Sequence, residues 1–167
     1  KTNLKQFFKM LNKDKSVQRL LDFLKLATIS TDPARKADTR RGGEWVLRLL
    51  TDAGIKAELV ETEGHPCVLA DSGPAANGGP TVLIYGHYDV QPAGDESLWH
   101  SPPFQPTIRE GQIFARGSAD DKGQVLAHLL AAEAWMKTVG KLPIRVKYLI
   151  EGEEEIGSPH LDKVIKD

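Results

Sequence analysis

The 167-residue sequence carries 22 Lys plus Arg against 23 Asp plus Glu, a net charge of −1, with 40% apolar and 27% charged residues. That is the balance of a globular domain long enough to bury a core, and it lacks the clustered positive charge that nucleic acid or an anionic membrane surface calls for. Apolar runs are too short to span a bilayer, and Cys67 is the only cysteine, so an intramolecular disulfide and a thiolate zinc site are excluded; a reducing cytoplasm is the default expectation.

The opening KTNLKQFFKMLNKDK reads as the start of an amphipathic helix rather than a signal peptide, because it has no continuous apolar stretch or small-residue cleavage site. From Ser16 to Ala27, Val17, Leu20, Leu21, Phe23, Leu24 and Leu26 recur at helical spacing. A second helix, with Asp38 as its expected cap and Trp45, Val46, Leu49 and Leu50 as its apolar stripe, should end at Gly54. IKAELVE and PCVLAD predict two strands, and DSGPAANGGP a surface loop. TVLIYG predicts a buried strand that ends at His87 and Asp89. A Pro-rich stretch follows, and then PTIRE and QIFAR flank Glu110-Gly111 as a hairpin. Helical spacing returns from Gly123 to Val139, IRVKYLIEG predicts another strand, and Ser158-Pro159 should open a last helix. The order indicates an α/β protein with its polar clusters at the C-terminal ends of two strands, where open α/β sheets place ligands.

Three clusters carry candidate chemistry. In His87-Tyr88-Asp89, extended backbone turns His87 and Asp89 to one side, so the acid can orient an imidazole that binds metal. In Arg116-Gly117-Ser118-Ala119-Asp120-Asp121-Lys122-Gly123, one acid can cap the following helix, but capping leaves the second acid unexplained. Glu153-Glu154-Glu155 crowds like charges at a strand end, a cost that a dication would relieve. One of these acids can ligate metal while a neighbour stays free as general base. Each cluster alone also has a plain structural reading: a strand-end turn, a helix cap, a solvated acidic face. Together they supply imidazole and oxygen ligands without thiols, a set suited to a hydrolytic zinc site with manganese or cobalt as substitutes.

The segments YGHYDVQPAGDESLWHSPPFQP, ARGSADDKGQ and IEGEEEIGSP, in this order, resemble the M20 metallopeptidases, most closely their dipeptidase and carnosinase-like branch. The resemblance implies a zinc-peptidase-like mixed β-sheet flanked by helices, and two zinc ions per complete site. It makes His87 a ligand of one zinc, Asp120 the bridging carboxylate, Glu155 a ligand of the second zinc, Asp89 the orienting acid and Glu154 the general base. It also implies a cis Asp120–Asp121 bond and leaves Glu153 a spectator; His65, His100, His128 and His160 are expected to be structural or solvated.

Two further ligands of the family pattern are missing from these residues, as is its lid and dimerisation domain. Residues 1–167 are therefore expected to be the N-terminal part of the catalytic domain, inactive alone, from a protein that forms homodimers through the lid. The implied activity is hydrolysis of dipeptides or short peptides. An N-acyl amino acid deacylase of the same family and a non-catalytic metal-binding module are the alternatives.

Overall fold

The computed structural model describes residues 13–166, so most of the expected N-terminal helix start lies outside the described residues. In chain order the elements are helix α1 (Lys13–Leu24), helix α2 (Lys36–Asp52), strands β1 (Lys56–Val60), β2 (Cys67–Asp71), β3 (Thr81–His87), β4 (Thr107–Arg109) and β5 (Gln112–Phe114), helix α3 (Lys122–Val139), strand β6 (Arg145–Glu151) and helix α4 (Leu161–Lys166). The order is the expected one, and the fold is a mixed α/β sheet flanked by helices. No helix among the described residues is long and apolar enough to cross a membrane.

The main sheet has the order β1-β2-β6-β3; β1, β2 and β6 pair antiparallel, while β3 runs parallel to β6. Parallel pairing decides where the chemistry goes. It aligns His87 with Glu151 at the same edge, so the residues after both strands emerge side by side. Side chains alternate across each strand. Val68, Ala70, Val146, Tyr148 and Ile150 join Phe23, Val46, Leu50 and Leu129 of the helices in one buried cluster. Strand β3, expected to be buried, is instead an edge strand of the described sheet, with Val82, Leu83 and Tyr85 exposed and burial beginning only at Gly86 and His87.

Three boundaries differ from expectation. Helix α2 begins at Lys36, which places Asp38 in its first turn, where the carboxylate pairs with Arg35 and Arg41 instead of capping; Asp32 caps the preceding turn by accepting from the Ala34 N–H at 2.9 Å. Helix α1 stops at Leu24 rather than Ala27 because Leu26 N–H turns back to the Phe23 carbonyl. Helix α4 starts at Leu161, since Ser158 has a φ of 51° and stands outside it. Gly54 and Gly140 do end their helices at positive φ.

Lys122 ties α1 to the start of α3. Its side chain is fully buried, and Nζ donates to the carbonyls of Phe23 (3.2 Å), in the last turn of α1, and Leu26 (2.7 Å), just beyond it, each of which also accepts a backbone N–H. Burial drives its pKa down to about 7, against the upward pull of Asp89. Cys67, also buried, sits on β2, and its thiol is pushed up to about 12 by burial first and then by the charges of Glu151 and Glu153.

Tyr88 is the largest fully buried side chain, and its hydroxyl donates to the Pro66 carbonyl at 2.6 Å. It lies against Gly42, Gly43 and Gly152, and a Cβ on Gly152 would come within 2.3 Å of the Tyr88 oxygen. Gly152→Ala should therefore destabilise the fold by about 1–3 kcal/mol, the usual cost of overpacking. Denaturant melts would measure it, and a change below about 0.5 kcal/mol, the range of an ordinary surface substitution, would contradict the fit.

Candidate active site

Strand β3 ends at His87, and the chain beyond it is gripped by the segment after α1. Thr28 Oγ1 donates to the Tyr88 carbonyl (2.6 Å), Val90 N–H donates to the Thr28 carbonyl (2.9 Å), and Ile29 bridges to Val90. With Tyr88 driven into the core, His87 and Asp89 share the other side, as the alternation predicts. His87 Nδ1 stands 3.1 Å from the Asp89 carbonyl and 3.4 Å from its carboxylate. Its Nε2 points outward, 3.0 Å from Asp120 Oδ1 and 3.9 Å from Glu154 Oε2.

The acidic turn after β6 meets the same residues. Asp89 has no exposed surface, and its two oxygens accept the backbone N–H groups of Glu154 (3.2 Å) and Glu155 (3.1 Å). Residues Glu154–Ile156 form a single 3-10 turn. Gln91 Nε2 donates to Glu155 at both its carboxylate (2.9 Å) and its carbonyl (3.1 Å). Behind the turn, the buried Glu151 carboxylate accepts from the hydroxyls of Tyr85 (2.6 Å) and Ser158 (2.8 Å). Sequence reasoning missed Gln91, Tyr85 and Glu151. Their positions beside His87 and at the end of β6 were the available signal.

The DDK segment closes the third side. The Asp120–Asp121 peptide bond is cis, as the resemblance implies. Asp121 flanks α3 as its N-cap without a side-chain capping bond, and its carboxylate instead accepts from His87 N–H at 3.3 Å. Asp120 projects outward, its side chain 76% exposed. Arg116 turns away from the acids: it donates to the Pro92 carbonyl (3.1 Å) and lies 5.4 Å over the Trp99 ring, which ties down the Pro-rich stretch. His100 and His128 are exposed and stand apart from the cluster, while His65 is buried.

Ligand atoms of His87, Asp120 and Glu155 lie within 4.8 Å of one another, a group that could hold a metal ion. One imidazole nitrogen and two carboxylates are donors suited to a divalent metal ion. Local electrostatics favour a cation here. Burial alone would lower His87, but the hydrogen bonds and charge of Asp89, joined by Asp121, raise it to about 9. Glu154 is also raised: partial burial and the neighbouring Glu155, Asp89 and Asp120 charges outweigh the lowering by His87.

An imidazole and carboxylates gathered at the C-terminal edge of two parallel strands form a group that could hold a metal ion, at the place where α/β sheets put their ligands. The chain belongs to the M20/M25/M40 peptidase family, whose model matches residues 83–166, just over half of its 167 residues. Similar solved structures include human carnosine dipeptidase 1 (29% identity, TM-score 0.87) and the di-peptidase Dug1p of Saccharomyces cerevisiae (27%, TM-score 0.85). A third is the M20 metallo-carboxypeptidase Sso-CP2 of Sulfolobus solfataricus (40%, TM-score 0.77). They align with 96%, 99% and 90% of this chain in turn, whereas the chain spans only 36%, 38% and 33% of their own lengths.

In the metal-free protein, an imidazole NMR titration should place the His87 midpoint near 9, and Asp89→Asn should move it down by removing the upward pull. Because the folded value lies above the ordinary 6.5, the stability it contributes is fully present below about pH 6.5 and is lost as pH rises through about 9. A midpoint at or below 6.5 would refute the pairing.

Proposed function

We propose that the complete polypeptide hydrolyses the peptide bond of dipeptides or short peptides, with His87, Asp120 and Glu155 holding zinc. The observation that carries this reading is the meeting of those three residues' ligand atoms within 4.8 Å, with Glu154 beside them. A bound divalent ion supplies Lewis acidity, polarising the scissile carbonyl and lowering the pKa of water toward neutrality.

The protein residues divide the remaining work. Asp89 holds the His87 ring through Nδ1, which leaves Nε2 free to ligate. Asp120, whose side chain is 76% exposed, would hold metal from the open side of the cluster, and Gln91 steadies Glu155. Glu154 takes the proton of the attacking water on a carboxylate oxygen, and then delivers it to the leaving amine nitrogen. Its raised pKa suits an acid–base group working near neutrality. On the same reading, the remaining ligands, the lid and a homodimer interface come from other parts of the polypeptide. That fits the share of each relative that this chain spans.

In the complete protein, Glu154→Ala should lower kcat by at least a hundredfold, the low end of what a general base contributes, with zinc content unchanged. Undiminished turnover would sink the assignment. Asp120→Ala should strip zinc, and elemental analysis that still finds full occupancy would remove Asp120 from the ligand set. Liberated-amine assays comparing dipeptides with N-acetyl amino acids test the substrate class, and preference for the latter would replace the peptidase reading with a deacylase.

A further inference from the structure

The sequence motif leaves Glu153 a spectator, yet the structure gives it more partners than either of its acidic neighbours. Its side chain is almost fully buried, and Oε1 accepts the His65 backbone N–H at 3.0 Å. The same carboxylate faces Nδ1 of His160 at 3.1 and 2.9 Å through its two oxygens. Its own carbonyl accepts from the N–H groups of Ile156 (3.1 Å) and Ser158 (2.9 Å), so the turn that carries Glu154 and Glu155 is folded about this residue. The opposing loop is shaped to admit it, since a Cβ on Gly64 would come within 1.7 Å of Glu153 Oε1. His160 Nε2 in turn lies 3.8 Å from Glu63, which pairs with Lys163 of α4.

We propose that Glu153 is a positioning residue, which with His160 and the loop at Gly64–His65 fixes the rotation of the acidic turn and so aims Glu155 at the metal and Glu154 at the water. The inference rests on the site reading above. A buried carboxylate is costly unless several donors meet it, so an anchor of this kind is a poor filler and a specific clamp. In a 3-10 turn successive residues are set a third of a turn apart, and a rotation at Glu153 therefore swings Glu154 and Glu155 together. Asp89 grips the N–H groups of Glu154 and Glu155 from the site side, and Glu153 grips the turn from the opposite side. The role is that of outer partners that orient metal ligands.

The test uses the complete protein with zinc alone as the binding probe and a dipeptide as substrate. Glu153→Leu should weaken zinc binding to the metal-free protein about ten- to a hundredfold and lower kcat comparably, with KM within about threefold. Glu153→Gln keeps an oxygen for the His65 N–H and should recover most of both. His160→Phe removes a partner on the far side of the anchor and should show the same pattern, smaller. Normal zinc affinity and kcat in folded Glu153→Leu overturn the proposal, as does a loss that Glu153→Gln fails to recover. If Glu153→Leu does not fold, a wild-type His160→Phe overturns it. Wild-type protein that binds zinc but cleaves no dipeptide refutes the peptidase reading instead, and the zinc affinities still decide the role of Glu153.

Discussion

Asp89 is sealed from solvent, yet both of its carboxylate oxygens carry backbone hydrogen bonds from the acidic turn while the same residue faces His87 Nδ1. A buried carboxylate must be met by opposite charge or by several donors, or its desolvation is not offset. The fold meets it from three directions. Two N–H groups come from the turn after β6, an imidazole comes from the end of β3, and the charge of Lys122 acts on it from the start of α3. Each of those groups lies on a segment that also carries a proposed site residue. Satisfying one buried charge thus gathers the whole cluster.

The rest of the architecture serves that meeting. Parallel pairing of β3 with β6 brings their ends to one edge, and the burial of Tyr88 among Gly42, Gly43 and Gly152 sends its two neighbours together to the side of the acidic turn. Exposure is graded accordingly. The side chain of Asp89 is 0% exposed and that of His87 8%, while Glu154 reaches 43% and Asp120 76%. Asp89, which orients, and His87, whose ring it holds, are locked by packing, while Glu154 and Asp120 stand at the surface. That division is what a preorganised site requires, because orientation is settled before the reaction and costs little during it.

Much of this was legible because local sequence rules acted without competition. Period-2 alternation around Tyr88 placed His87 and Asp89 together, and continuous apolar runs marked β3 and β6 and so the edge at which the acids emerge. What stayed hidden depends on contacts distant in sequence. Lys122 reads as one more surface charge until the carbonyls of Leu26 and Phe23, around the end of α1, are seen to face it, 96 and 99 residues away. Glu153 reads as part of a solvated acidic run until its partners His65 and His160 are seen. Asp38 looked like a cap because its spacing from the apolar stripe was right. The helix instead begins three residues earlier, with Arg35 at the cap position, on the turn that Asp32 already closes.

Cys67 has a consequence of a different kind. It is buried at the start of β2 with a thiol pushed up to about 12 by that burial, so the nucleophilic thiolate is scarce at neutral pH and reagents cannot reach it. The two carboxylates that raise it, Glu151 and Glu153, are the anchors of the acidic turn. Labelling of this single thiol therefore proceeds only through opening of the structure around β2, and its rate measures how often that opening occurs. The protein carries, in one atom, a chemical clock for the integrity of the scaffold on which its acids are mounted.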